Sequence, residues 1–254
     1  MADAATKLRT GEVLRLRRFS TPTVYNGWEQ ISRHDRRDLV NREDVRDFMP
    51  QFGPMVGYAV TLVCQPSNPD HLEQHPDAPA RYRQYVESLP GPKILVLQDL
   101  DAPNVIGTYI GEVNSSLHRA LGCVGILTNG GVRDIDEMTS VGFKAIASRL
   151  CVGHAFAWPV RWGCDVEVFG CTVKSGQLIH ADKHGFLVIP EEDQKAVFDA
   201  TLFMDGNECE TVIESSQILR GQTMAETRAR QLDAERRFGA AARQQFNKKG
   251  EWSA

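Results

Sequence analysis

Apolar and polar positions change their period along the chain. Between residues 93 and 150, apolar runs of strand length alternate with stretches of helical period. Lys93 to Asp99, Val124 to Thr128 and Ala145 to Leu150 read as buried strands, because short apolar runs bounded by turn residues suit strands covered on both faces. Val113 to Ala120 and Asp134 to Val141 read as the helices between them. Upstream, the first sixteen residues suggest a helical lead-in, and Ser20-Thr21 before Pro22 announces a helix from Thr23 to Ile31, since proline is tolerated where a helix begins. A polar stretch from Ser32 to Asp47 precedes a strand over Met55 to Val63. Gln65 to Pro79, rich in Pro, Asp, His and Asn, reads as a surface loop, and Tyr82 to Leu89 as a short amphipathic helix.

After residue 165 the pattern becomes β-rich. Asp165 to Val173 alternates as a strand, Lys174 to Gln177 is a turn, and Leu178 to Ala181 pairs with Phe186 to Ile189 around the turn Asp182 to Gly185. The chain from Glu191 is helical by composition. Met224 to Lys249, rich in Ala, Arg, Glu and Gln, reads as an exposed or subunit-bridging helix. Strands that first alternate with helices and then run together as hairpins predict a layered α/β domain with a mixed sheet.

Composition narrows the classes. With 254 residues, 42% of them hydrophobic and 24% charged, the chain reads as an ordinary globular protein. A net charge of −4 argues against a general nucleic-acid binder, which carries a basic excess. No apolar run approaches the ~18 residues needed to cross a bilayer. The N-terminus has basic residues but no apolar core of a secretory signal, and Asp3 and Glu12 weigh against a transit peptide. The expected compartment is the cytoplasm, with no membrane partner. The cysteines at 64, 123, 151, 164, 171 and 209 form no C-x-x-C pair and mostly sit in apolar runs, so they read as free thiols.

Two segments carry candidate chemistry. Gly111-Glu112-Val113 stands at a loop-to-helix junction, and Asn129-Gly130-Gly131-Val132-Arg133-Asp134 at the end of a strand. Loops at neighbouring strand ends of an α/β sheet converge to form sites. A helix N-terminus offers backbone N–H groups to a carboxylate, arginine adds a bidentate fork, and aspartate is a hard oxygen ligand for Mg²⁺ or Mn²⁺. Together they would hold a 2-oxo acid and stabilise charge on its keto oxygen. The competing structural reading has Asp134 merely capping the helix that follows it. His180, Asp182 and His184 share strand parity, which could mark a metal site, but Asp182 to Gly185 reads as a hairpin turn. His71 and His75 read as solvated, and Trp158 and Trp162 as packing or subunit-contact residues rather than a substrate cage.

The stretch from Gly111-Glu112 to Arg133-Asp134 resembles the RraA-like family, also described as 4-hydroxy-4-methyl-2-oxoglutarate aldolases. The resemblance continues through Val168 to Pro190 and covers roughly residues 15 to 215. In that family's aldolases an acidic residue is followed, after twenty residues, by Arg-Asp, a spacing met by Glu112 and Arg133-Asp134. The resemblance implies a swivelling β/β/α fold with mixed sheets, here with a C-terminal helical extension. It divides the chain into a lead-in over 1–16, an RraA-like domain over 17–215 and a charged helical tail over 216–254. It implies cleavage of a 4-hydroxy-2-oxo acid to pyruvate, with Asp134 holding Mg²⁺ (or Mn²⁺) and Arg133 on the pyruvate carboxylate and keto oxygen. Backbone amides of Gly111, Glu112 and Val113 would bind substrate, the Glu112 side chain would orient a water, and Glu210 would come from a neighbouring subunit. Oxaloacetate decarboxylation is the implied side activity, and a homotrimer or dimer of trimers the implied assembly. Where the family reads Pro-Gly-Asp, this chain has Ser175-Gly176-Gln177, so one acid is missing there. The alternative is a non-catalytic, protein-binding regulator of ribonuclease activity, which needs no metal.

Overall fold

The computed structural model describes residues 7–217 and 219–248. The ends of the expected lead-in (1–6) and tail (249–254), with Ile218, lie outside the described residues. The chain divides into two compact units, one of Met1–Thr21 with Arg36–Glu191, the other of Pro22–Asp35 with Glu192–Ala254.

The first unit is a mixed α/β structure. It begins with α1 (Thr10–Leu16), ends where α2 (Thr21–Ile31) starts, and resumes at β1 (Arg46–Asp47) and β2 (Met55–Cys64). Then come α3 (Asp70–Gln74), α4 (Ala78–Ser88), β3 (Lys93–Asp99), α5 (Glu112–Ala120), β4 (Cys123–Val132), α6 (Ile135–Ser140) and β5 (Lys144–Leu150). Five further strands follow, β6 (Arg161–Trp162), β7 (Val166–Val168), β8 (Cys171–Val173), β9 (Leu178–Asp182) and β10 (Gly185–Ile189). The main sheet runs β1-β5-β4-β3-β2-β9-β10, with β6 also on β2, and β7-β8 is a separate ribbon. Strands β2 to β5 are parallel, whereas β1, β6, β9 and β10 join antiparallel.

Alternation sorts the central strands onto two cores. Val60, Leu62, Leu95 and Leu97 pack with Tyr82 and Val86 of α4 and Met138 of α6. Their neighbours Ala59, Val63, Ile94 and Val96 pack with Val166, Val168 and Val173 of the small ribbon. Helices thus cover one face and strands the other, the β/β/α layering. All ten residues of β2 are buried, as a strand covered on both faces requires.

Several boundaries differ from the sequence expectation. The predicted loop over Gln65 to Pro79 contains α3, and α4 starts at Ala78 rather than Tyr82. Pro79 stands in its first turn, where the missing N–H costs no helical bond. The single strand expected over Asp165 to Val173 is a hairpin, broken at Phe169 and Gly170, whose φ angles of 51° and 70° suit a tight two-residue turn. Strand β4 continues past Thr128 through a register shift between Thr128 and Gly131, so the glycine pair lies inside the strand. One buried cation ties two helices to the sheet: the Lys93 ammonium donates to the carbonyls of Val86 (2.6 Å) and Leu121 (2.8 Å), at the ends of α4 and α5.

The second unit contains the body of α2, then α7 (Gln194–Glu208), a π-helical turn over Cys209–Ile213 and α8 (Met224–Phe246). Thr223 and Glu226 cap α8 reciprocally. Helix α8 is not exposed all round: Phe238 and Ala242 pack with Met204, Phe203, Val212 and Phe246, while Met224 and Leu232 at its start are exposed. All six cysteines are free, with Cys64, Cys123 and Cys171 buried and Cys209 exposed. Among the described residues no helix is long and apolar enough to cross a membrane.

Candidate functional site

The site is built where β4 hands over to α6 and the loop before α5 returns to meet it. Thr108, buried in that loop, accepts the Ile110 N–H (3.1 Å) and donates to the Gly131 carbonyl (2.5 Å). A single hydroxyl thereby fastens the loop to the end of β4. Asn114 donates from its amide to the Tyr109 carbonyl (2.7 Å), closing the loop onto the first turn of α5. Gly111 precedes that helix with extended backbone (φ −160°, ψ −160°). A methyl group there would collide with Oδ2 of Asp134 and lie 3.0 Å from Cγ and Nε of Arg133. Glycine leaves room here for the Asp134 and Arg133 side chains, which would have to shift to admit a methyl group.

Asp134 does not make the helix cap that the structural reading assigned to it. It is the N-terminal flanking residue of α6, in left-handed conformation (φ 54°, ψ 46°), yet its side chain makes no capping bond to that helix. Its Oδ2 instead accepts the Glu112 N–H at 3.0 Å, in the first turn of α5. A carboxylate at a helix N-terminus is stabilised by the unpaired amides there, but the helix in question is α5, which begins 22 residues upstream. Arg133 places Nε 3.4 Å from the same oxygen, with both side chains about one-third exposed (33% and 34%). Its Nη1 reaches the Val152 carbonyl only at 3.5 Å. A cavity of about 140 Å³ opens here, lined by Thr108, Tyr109, Gly111, Val113, Asn114 and Arg133 among others. Burial pushes the Tyr109 phenol up, so it remains protonated.

Gly111, Glu112, Arg133 and Asp134 therefore meet through backbone and side chain, and Val113 lies on the cavity wall, 71% exposed. Glu112 is exposed as well. Glu210 sits on the π-helical turn of the second unit, also exposed. Asp134 offers a hard oxygen donor, and its Oδ1 has no hydrogen-bond partner among the described residues. No three His, Cys, Asp or Glu side chains among the described residues gather as a metal cluster. Any ion held by Asp134 would complete its shell with water and substrate, an arrangement suited to Mg²⁺.

The His180, Asp182 and His184 trio is structural. His180 is buried, hydrogen-bonded to the Thr21 hydroxyl (2.9 Å) and the Leu16 carbonyl (3.2 Å), and burial lowers its pKa to about 4. Asp182 accepts the N–H groups of Thr21 and His184, each at 2.9 Å, and the turn expected there is present between β9 and β10. His71 is not simply solvated, since its Nε2 bonds Asn68 and Gln65. Trp162 packs against Tyr82, and the Trp158 indole donates to the His75 carbonyl.

Sequence reading missed a second cavity, about 470 Å³, lined by Glu43, Asp44, Asp99, Asn129, Ser148 and Glu167 with others. Asp99, at the end of β3, is 3% exposed, and burial raises its pKa to about 6. The one available signal was the acidic end of the Lys93 to Asp99 run. The remaining acids come from distant segments that only the fold assembles. Thr108 was likewise invisible, because a threonine in a loop has no pattern to stand out from.

Comparison with known proteins agrees with this architecture. A stretch of 120 residues is 23% identical to Protein DlpA of Legionella pneumophila, covering 46% of this chain and 19% of that protein, so the match spans about a fifth of the relative's length. An uncharacterized protein from Pseudomonas syringae pv. tomato has the same fold, with a TM-score of 0.65 at 17% identity over 90% of this chain and 98% of the other. Streptomyces coelicolor RraAS2, described as an unusual member of the RNase ES inhibitor RraA family, superposes with a TM-score of 0.62 at 18% identity over 80% and 96% of the two chains. The RraA-like family, described as Aldolase/RraA, matches residues 21–188. On a match that takes in β1 to β9 and the junction of Gly111, Arg133 and Asp134, the chain belongs to the RraA-like family.

Proposed function

We propose that this protein is a divalent-metal-dependent aldolase, a carbon–carbon lyase that cleaves a 4-hydroxy-2-oxo acid to pyruvate and a second carbonyl compound, with oxaloacetate decarboxylation as a side activity. The observation that supports the reading is Asp134, whose carboxylate bonds the Glu112 amide beside Arg133, a residue lining a cavity with Gly111, instead of capping its own helix. Bound Mg²⁺ or Mn²⁺ would supply Lewis acidity toward the substrate's keto oxygen and carboxylate. Asp134 is the residue that would hold it. Arg133 presents its fork to the pyruvate carboxylate and to charge developing on the keto oxygen. The amides of Gly111, Glu112 and Val113 face the carboxylate end of the substrate; the Glu112 amide, engaged by Asp134, exchanges that partner for substrate. The exposed Glu112 carboxylate orients a water for proton transfer, and Glu210 serves a neighbouring copy's site.

The proposed assembly is a homotrimer or dimer of trimers acting in the cytoplasm on a small 2-oxo acid. Exposed apolar side chains in the segments that flank the cavity residues, Ile106, Val113, Leu150, Val152 and Phe156, support an assembly, since each would gain from being covered. The test is pyruvate release, coupled to lactate dehydrogenase, from a panel of 4-hydroxy-2-oxo acids and oxaloacetate with and without Mg²⁺. Asp134→Ala is expected to lose at least about 100-fold of the metal-dependent rate with its circular dichroism unchanged. Equal turnover in the variant removes Asp134 from the chemistry. Absence of turnover on every substrate in the wild type favours the protein-binding regulator.

A further inference from the structure

A third cavity, about 200 Å³, lies in the first unit and shares no lining residue with the Arg133 cavity. Three cations line it, Arg17, Arg119 and Lys144, together with Phe52, Met55 and Val124 among others, and no carboxylate does. Lys144 is almost fully buried and already balanced: its ammonium donates to Asp47 at 2.5 Å and to the Met49 carbonyl at 3.0 Å. The surplus charge comes from the two arginines. Arg17 spends only Nε, on the Pro54 carbonyl at 3.1 Å. Arg119 has no side-chain partner among the described residues, and neither arginine forms an ion pair there. Arg119 stands in the last turn of α5 and Arg17 just after α1. A cation at either place complements a helix dipole, but that role does not need two guanidinium groups from different elements at one concavity.

We propose that this cavity binds a small oxyanion of the phosphate class. Two guanidinium forks offer parallel N–H donors matched to phosphate oxygens, and the buried Lys144–Asp47 pair fixes the floor. The volume is below the roughly 300 Å³ of pockets that take drug-sized ligands, so the ligand is inorganic phosphate or the head of a small phosphomonoester. Arg119 and Glu112 are carried by one helix, α5, which connects this cavity to the candidate site by a single rigid element. The proposal stands independently of the aldolase reading.

Titration of the full chain with inorganic phosphate, followed by phosphorus NMR and calorimetry at constant ionic strength, tests it. Saturable binding is expected in the wild type, and the double variant Arg17→Gln/Arg119→Gln should weaken it about tenfold or more, as loss of charge-assisted bonds at an accessible site implies. Arg133→Gln controls for phosphate entering the other cavity and should leave binding intact. Arg119→Lys, which keeps the charge but loses the fork, should weaken binding less than Arg119→Gln does, and that ordering holds even if the double variant is less stable. Glycerol phosphate in place of phosphate distinguishes a monoester from the free ion as the preferred ligand. No saturable binding in the wild type, undiminished binding in the double variant, or loss on Arg133→Gln overturns the proposal.

Discussion

Gly111→Ala puts the central contact of the site under direct strain. The backbone there is extended and any residue adopts it, so the conflict is steric. The added methyl would strike Asp134 Oδ2 and crowd Arg133 at 3.0 Å. The carboxylate is the partner able to move, and in moving it gives up the Glu112 N–H at 3.0 Å and the Arg133 Nε at 3.4 Å. A hydrogen bond to a charged group is worth about 1.5–3 kcal/mol, and an ion pair between groups one-third exposed adds about 0–1 kcal/mol. Water reaches a carboxylate that is 34% exposed and replaces part of the lost bond, which leaves about 1–2 kcal/mol. Urea unfolding of the wild type, Gly111→Ala, Asp134→Ala and the double variant measures it. Each single variant loses the same bond, so the double should cost less than the sum by about 1 kcal/mol. Additivity within about 0.5 kcal/mol would show that Gly111 and Asp134 are not coupled, and the geometric argument for the site would fail. On the aldolase reading, Gly111→Ala should also raise the Mg²⁺ concentration needed for half-maximal turnover.

Other expectations can be checked with the same methods. Thr108→Val leaves the Ile110 N–H and the Gly131 carbonyl unpaired in a buried loop, costing about 1–3 kcal/mol; a loss below about 0.5 kcal/mol means the hydroxyl does not fasten the loop. Asp99 is raised from its ordinary 3.8 to about 6, so its burial penalty is absent below pH 3.8 and complete above pH 6. Asp99→Asn should therefore stabilise the protein at pH 7–8 by about 2 kcal/mol, the roughly 3 kcal/mol of that displacement less the weakened bond to the Asp101 N–H, and the gain should vanish toward pH 4. A gain unchanged between pH 8 and pH 4 contradicts this. Burial holds His118 and His180 at about 4, so both stay neutral in the folded chain while the unfolded chain protonates them near 6.5. Their contribution is intact above pH 6.5 and falls away between 6.5 and 4, by up to about 1.4 kcal/mol per pH unit for each. His118→Gln should shallow that slope, and an unaltered acid limb in urea titrations would count against it.

The parallel core was legible because its strands advertise themselves. Lys93 to Asp99 has the expected boundaries, and β2 and β5 each differ by one residue, since apolar runs covered on both faces leave no ambiguity of phase. Legibility failed where geometry and not hydropathy sets the boundary. The Phe169-Gly170 turn shows in the sequence only as a change of phase, from Val166 and Val168 to Cys171 and Val173, and the continuation of β4 through Gly130 and Gly131 depends on a register shift against β5. The pairing of the Gly111 and Arg133 segments could be anticipated from spacing and resemblance. That Asp134 would address the helix before β4 and not the one after it could not, because both helices begin close to an acid and only the left-handed backbone at Asp134 chooses between them.

The ammonium of Lys93 has a mechanical corollary for the chemistry one helix away. Val86 and Leu121 lend it the terminal carbonyls of two helices, so α5 is pinned at its far end to the edge of β3 and, through it, to α4. Sliding α5 along its axis would strand a positive charge in a buried setting with half its ligation gone. Adjustment to an arriving guest at the Gly111 end must then come from rotating side chains, with α5 serving as the fixed jaw.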